Sequence, residues 1–337
     1  MADLRAAILN SVYEADRLHK QFDSKVTADQ GDGRIDVFQM LVKRDIPTLF
    51  RPLKGLLGAF LDNPSPGVLI TTQRQLPIQR FTAAHELGHA VLGHRTSYDD
   101  ESILAQMPFL DRKRYDLQEM QANAFASELL MPQWLLARHM LRQEWKADDL
   151  NRPEIVYQLS LRLGTSYSAT CHTLVYKKII ARRAYEVLLN TKPRTIKQRL
   201  AEPFQPDNWY GDIWVITERD DGMFIEGSRS DLVMLKFKEH SGSGYLWRLD
   251  ELADVGLAVV RDGRVASHDE DVVGGVVVRE VITQAQLGAK GRVNFQETRP
   301  WQTSEEPLHS LDFDVDLSGP VSSGLLPAQR EALLGAA

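Results

Sequence analysis

The apolar pattern of this 337-residue chain changes period once, and that change dictates two kinds of structure. Up to about residue 200 the apolar positions recur mostly at helical spacing, as in Leu4, Ile8, Val12 and Leu18. A Pro-rich break follows at Glu202-Pro203-Phe204-Gln205-Pro206-Asp207. Beyond it come short apolar or alternating runs at 213–218, 232–239, 245–249, 257–265, 276–282, 293–298 and 311–317, divided by Gly and Asp turns. Such runs predict an all-β sandwich or barrel. The fold class expected is α+β, with residues 1–140 as one domain and 141–201 as a helical extension. Residues 207–317 form the β domain, and the Gly/Ser/Pro-rich residues 318–337 read as a flexible tail.

Within the first part, Asp36 is placed to cap a helix over 37–44. Residues 46–70 read as strands broken by Gly58, Asn63-Pro64 and Pro66. Helices are predicted over 76–94, behind Pro77, and over 117–131, ending at Pro132, with polar irregular chain at 95–114 between them. Further helices run from 133 to about 200.

Composition narrows the class. One cysteine, Cys171, excludes an internal disulfide framework and a cysteine-based metal cluster. No run approaches the ~18 consecutive apolar residues of a membrane span, and Asp3 and Arg5 precede any apolar run, unlike a secretory signal. A cytoplasmic protein without a membrane partner is expected. The net charge of −6 is unevenly spread. Residues 141–200 hold 12 basic against 5 acidic side chains, and residues 201–337 hold 12 against 24. The acidic part excludes itself as a nucleic-acid surface; the basic part leaves direct DNA binding open.

The residues that carry chemistry are His85-Glu86-Leu87-Gly88-His89. On a helix, positions i and i+4 share a face, so both imidazoles can hold one cation while Glu86 faces a water molecule beside it. A hydrolytic divalent site needs a third protein ligand and an open position. Spacing offers His94, Asp116 and Glu119 for that place and does not choose among them.

Residues 81–94, Phe-Thr-Ala-Ala-His85-Glu86-Leu-Gly-His89-Ala-Val-Leu-Gly-His94, and 119–132, Glu119-Met-Gln-Ala-Asn123-Ala-Phe-Ala-Ser-Glu-Leu-Leu-Met-Pro132, resemble the ImmA/IrrE metallopeptidase family. The likeness covers about residues 5–190. It implies a zincin-like domain in which Glu119 is the third ligand beside His85 and His89, with Glu86 as general base. It implies zinc as the cofactor, manganese being the other option for a set without cysteine. It also implies a protein substrate of the helix-turn-helix repressor class, whose limited cleavage would derepress a stress, mobile-element or toxin–antitoxin operon. Tyr115 and His94 are candidates for stabilising a developing oxyanion.

Residues 155–170 read as helix, tight turn at Gly164 and helix, capped by Thr165 or Ser166, which looks like a helix-turn-helix. In the β domain three segments have a familiar order: Gly242-Ser-Gly244-Tyr245-Leu-Trp247, Gly274-Gly275, and Gly291 through Arg299-Pro300-Trp301. Their succession is similar to chagasin-like inhibitors of papain-type cysteine proteases. That likeness implies an immunoglobulin-like sandwich whose loops at one end enter a protease cleft. The first loop departs from the family, because Ser241-Gly242-Ser243-Gly244 stands where an Asn-Pro-Thr-Thr-Gly is usual. Two functions are therefore expected in competition. One is a metallo-endopeptidase. The other is a partner-binding regulatory protein whose β domain grips or inhibits a protease, with the metal site structural or vestigial.

Overall fold

The computed structural model describes residues 2–99, 116–266, 277–286, 288–302 and 306–335. The chain forms two compact units. One comprises Met1–His139, Leu159–Leu189 and Pro320–Ala337; the other comprises Met140–Gln158 and Asn190–Gly319.

The first unit begins with α1 (Ala2–Gln21), the one-turn α2 (Ser24–Thr27) and α3 (Val37–Lys43). Asp36 caps α3 as expected, accepting from the Gln39 amide at 3.0 Å. Three short strands follow, β1 (Thr48–Arg51), β2 (Gly58–Leu61) and β3 (Gly67–Thr71). Next come α4 (Leu76–Leu92) and β4 (Ser97–Asp99), then α5 (Leu117–Leu130) and α6 (Gln133–Arg142). β1 runs parallel to β3, and β2 lies antiparallel to both β3 and β4.

α4 lies on β2 and β3 and packs along α5. The close approach of the two helices follows from small residues. A Cβ on Gly88 would come within 3.0 Å of the Phe125 ring and 3.3 Å of the Ala122 backbone. Ala122, Ala124 and Ala126 are buried along the facing helix, and Phe125 fills the space between. Full burial of a phenylalanine of that kind contributes roughly 1.5–3 kcal/mol. Pro77 stands in the first turn of α4, where a missing N–H costs nothing, and Gly93 ends the helix in the left-handed region at φ 69°.

The C-terminal residues correct the expectation of a flexible tail from Ser318. β13 (Gly324–Leu325) pairs antiparallel with β1 and gives the sheet the order β13-β1-β3-β2-β4. The helix Pro327–Gly335 follows it. The Gln329 side chain bridges strand β1's start, accepting from the Thr48 amide at 3.0 Å and donating to the Ile46 carbonyl at 2.7 Å. The Gln79 side chain of α4 donates to the Val321 carbonyl and accepts from its amide, both at 3.1 Å. Leu326 is 3% exposed.

The region read as a helix-turn-helix forms α7 (Pro153–Leu163) and α8 (Tyr167–Tyr176). Gly164 sits between them at φ 65°, and Ser166 caps the second helix by accepting from the Ala169 amide. α8 contains no Lys or Arg, and Tyr167, Thr170, Cys171, Thr173 and Leu174 on it are buried. It therefore offers no basic face to a DNA groove. Part of the basic run after it is structural. Lys177 pairs with Glu128 at 2.6 Å. Lys197, 7% exposed, donates to the Gly211 carbonyl at 2.7 Å and pairs with Asp212 at 3.1 Å. Among the described residues, no helix is long and apolar enough to cross a membrane.

The second unit contains two four-stranded sheets. One has the order β5-β7-β10-β9, from β5 (Ile213–Ile216), β7 (Leu232–Glu239), β9 (Leu257–Ala266) and β10 (Val277–Ala285). The other has the order β6-β12-β11-β8, from β6 (Met223–Glu226), β8 (Leu246–Trp247), β11 (Lys290–Thr298) and β12 (His309–Asp316). Rings from both sheets form one apolar line. Phe237 lies 5.2 Å from Trp247 and 5.3 Å from Phe295, which lies 5.2 Å from Phe313. Edge-to-face and offset contacts at these distances add to area burial. The sequence pattern found seven of these eight strands and missed β6. Only four residues long, β6 is held by parallel pairing to the far strand β12, which no local signal announces.

Two loops meet at one end of this unit. Ser241–Ser243 form a single 3-10 turn, and Gly244 follows at φ 82°. A Cβ on Gly244 would come within 2.5 Å of the Trp301 ring. The Arg299 guanidinium lies 4.4 Å above the Tyr245 ring and donates to the Ser243 carbonyl at 3.3 Å. Trp301 is 69% exposed. The intermediate pair Gly274-Gly275 lies outside the described residues.

Candidate metal centre

The site stands where α4 crosses α5. His85 and His89 are one turn apart on α4, and Glu119 is in the first turn of α5. The two Nε2 atoms are 3.0 Å apart. Glu119 Oε2 is 3.1 Å from His85 Nε2, and Oε1 is 3.6 Å from His89 Nε2. One ligand atom from each residue lies within 4.8 Å of the others. Both imidazoles are fully buried and Glu119 is partly exposed, so the cluster opens on one side.

Each imidazole is held from behind. His85 Nδ1 is 3.0 Å from Asn123 Oδ1. An amide oxygen only accepts, so Nδ1 carries the proton and Nε2 keeps its lone pair. His89 Nδ1 is 3.0 Å from His94 Nδ1. Burial, with a smaller contribution from the neighbouring His89, pushes His94 down to about 4. A neutral His94 accepts from His89 Nδ1–H, which again leaves Nε2 bare. Phe60 of β2 stacks on His89 at 6.1 Å, with 17° between the planes.

Two bare imidazole nitrogens and a carboxylate directed at one spot repel one another unless a cation stands between them. The donor set therefore fits a divalent metal ion with room for a further ligand. Glu86, next to His85, is fully buried. A Cβ on Gly58 would come within 2.4 Å of Glu86 Oε1 and 2.4 Å of the Thr82 methyl. Gly58 thus opens β2, at the break the sequence suggested, and makes room for this carboxylate.

The remaining candidates take other places. Asp116 caps α5, its carboxylate accepting from the Gln118 amide at 3.0 Å. His94 supports His89 through Nδ1. Tyr115 lies outside the described residues. Asn123 stood in the second motif with no role attached to it. Its position four residues after Glu119, on the same face of one helix, was the available signal. Replacing Asn123 by Ala should weaken metal binding by about 10–100-fold, the usual effect of removing a partner that orients a ligating histidine. Competitive chelator titration would measure it. Unchanged affinity would show that packing alone orients His85.

Comparison with known proteins divides the chain in the same two places. Residues 43–175 match the family described as the IrrE N-terminal-like domain. Residues 228–315 match the chagasin family of peptidase inhibitors. Amoebiasin-2 of Entamoeba histolytica is 24% identical over 106 residues, which span 32% of this chain and 86% of that protein. An uncharacterised immunity region protein 2 of Bacillus phage phi105 is 30% identical over 92 residues, 26% of this chain. That alignment spans about half the phage protein, 52% of its length. The crystal structure of the cysteine protease inhibitor EhICP2 from Entamoeba histolytica is similar at 23% identity and a TM-score of 0.29, covering 33% of this chain and 99% of that one. The solution structure of amebosin is similar at 17% identity and a TM-score of 0.26, covering 31% and 95%. The chain thus carries an IrrE-like region in its first part and a chagasin-like region in its second.

Proposed function

We propose that this chain is a cytoplasmic metal-dependent endopeptidase that makes limited cuts in a helix-turn-helix transcriptional repressor, relieving repression of a stress, mobile-element or toxin–antitoxin operon. The observation that carries the reading is the convergence of His85, His89 and Glu119 beside the buried carboxylate of Glu86. In this reading the first unit is a zincin-like peptidase and the second an immunoglobulin-like sandwich. The likeness to a phage protein named for an immunity region supports placing the substrate among regulators of mobile elements.

His85, His89 and Glu119 are the residues that would hold zinc, or manganese in its place. When bound, the ion supplies Lewis acidity, acidifying water and polarising the scissile carbonyl. Glu86 takes the proton from the attacking water and returns it to the leaving amine. Asn123 and His94 keep the two imidazoles in the tautomer that presents Nε2.

A second reading rests on the paired loops of the β unit. Exposed Trp301, braced on Gly244, and Arg299, stacked on Tyr245, form a stiff edge of the kind that grips a protein partner. One experiment separates the two. Full-length Glu86→Gln protein, tagged and recovered from its host, should retain a repressor that the unsubstituted protein releases cut. Identification by mass spectrometry of a cysteine protease instead, lost when Trp301→Ala is added, would make the β unit the working part.

A further inference from the structure

We infer that the β unit carries a second divalent transition-metal site, built from His240, Glu297 and His309. In the β11–β12 ladder Glu297 stands directly opposite His309, so their side chains share one face. His240 follows the last residue of β7. His309 Nδ1 is 2.8 Å from Glu297 Oε2, and His240 Nδ1 is 3.1 and 3.2 Å from the two carboxylate oxygens. One ligand atom from each residue lies within 4.8 Å of the others. The two imidazoles are stacked at 5.4 Å with 26° between planes, and Trp247 stacks on His309 at 6.4 Å. Both Nδ1 atoms are thereby turned to the same carboxylate.

The charge balance points the same way. Glu297 is 0% exposed, and a buried carboxylate needs a counter-charge. Its neighbour Glu239, equally buried, has two: Arg264 at 2.6 Å and Arg279 at 3.2 Å. Among the described residues, the ion-pair partners of Glu297 are His240 and His309 alone. The backbone amide of His240 donates to Oε1 at 2.6 Å and fixes the carboxylate. The His309 side chain is 53% exposed and that of His240 33%, so the cluster is open to water for metal access and for a further ligand. Two imidazoles and one carboxylate select zinc and its first-row neighbours over magnesium or calcium.

Such an ion would pin the base of both loops at the end of this unit. His240 immediately precedes the Ser241–Ser243 turn, and Glu297 stands two residues before Arg299. Metal occupancy would then set how firmly Tyr245, Arg299 and Trp301 are held.

The test uses the full chain with His85→Ala and His89→Ala, which removes the first site. After dialysis against zinc and then buffer, elemental analysis should find one zinc per chain. Adding His309→Ala, or separately Glu297→Gln, should weaken zinc binding in calorimetry by at least about tenfold. Cobalt titration should show absorption bands that disappear in the same variants. Because His309 is half exposed, its replacement should leave the far-ultraviolet circular dichroism unchanged. If the double-Ala chain does not fold, the unsubstituted chain should bind two zinc ions and His309→Ala one. Zinc binding unaffected by both His309→Ala and Glu297→Gln would overturn the site, leaving the cluster as a buried carboxylate balanced by imidazolium protons.

Discussion

Replacing Glu86 by Gln should abolish peptide cleavage while the protein keeps its metal. Gln is the same size, so it sits in the space that Gly58 leaves without disturbing β2. It cannot accept the proton of the attacking water. General-base catalysis contributes about 10²–10⁴-fold, which at 1.36 kcal/mol per tenfold is a barrier change of roughly 3–5 kcal/mol. Gel-based cleavage of the trapped substrate, together with elemental analysis of the same preparation, reads both quantities. Cleavage at the unsubstituted rate would remove Glu86 from the role of base. Loss of cleavage together with loss of metal would show instead that Glu86 helps to build the site.

Glu119→Ala should strip the metal. The substitution removes the only carboxylate of the triad and leaves His85 and His89 as two neutral donors. Affinity should fall by at least about 100-fold, beyond the ~10–100-fold of removing a supporting partner such as Asn123. The neighbouring positions provide controls. Asp116→Ala removes a helix cap, costing about 1 kcal/mol of stability, and should leave metal content intact. His94→Ala removes the acceptor behind His89 and should behave like Asn123→Ala. Retention of a full equivalent of metal by Glu119→Ala, with loss in Asp116→Ala, would move the third ligand to Asp116.

The sequence and the structure agree most closely where the information is local. The i, i+4 spacing of His85 and His89 carries its own geometry, because any helix puts them on one face. Asp36, Pro77 and Pro132 mark helix limits through the presence or absence of a single hydrogen bond. What was illegible depends on partners distant in the chain. The two glycines at the metal centre show this. Gly88 is needed because Phe125 and Ala122 approach from α5, and Gly58 because Glu86 lies against β2. Neither neighbour is visible from the glycine's own surroundings. Likewise β6 exists through its pairing with β12, and the tail is ordered by β1 and Gln79. The buried Glu297 illustrates the same limit, since β11 alternates normally through it and only the facing His309 and the incoming His240 give it meaning.

The pairing of β13 with β1 also sets a schedule. Thr48 and Gln329, joined by a hydrogen bond, are separated by 281 residues. At ~5–20 residues per second, a ribosome needs about 14 to 56 s between making one and making the other. Throughout that interval the outer edge of β1 has no neighbour, and the acidic β unit is synthesised within it. An open strand edge invites pairing with other chains. The sheet beneath the helix that carries His85 and His89 is therefore completed only by a segment that emerges after the β unit. A chain truncated anywhere in the β unit would present the His85–His89–Glu119 cluster on an unfinished support.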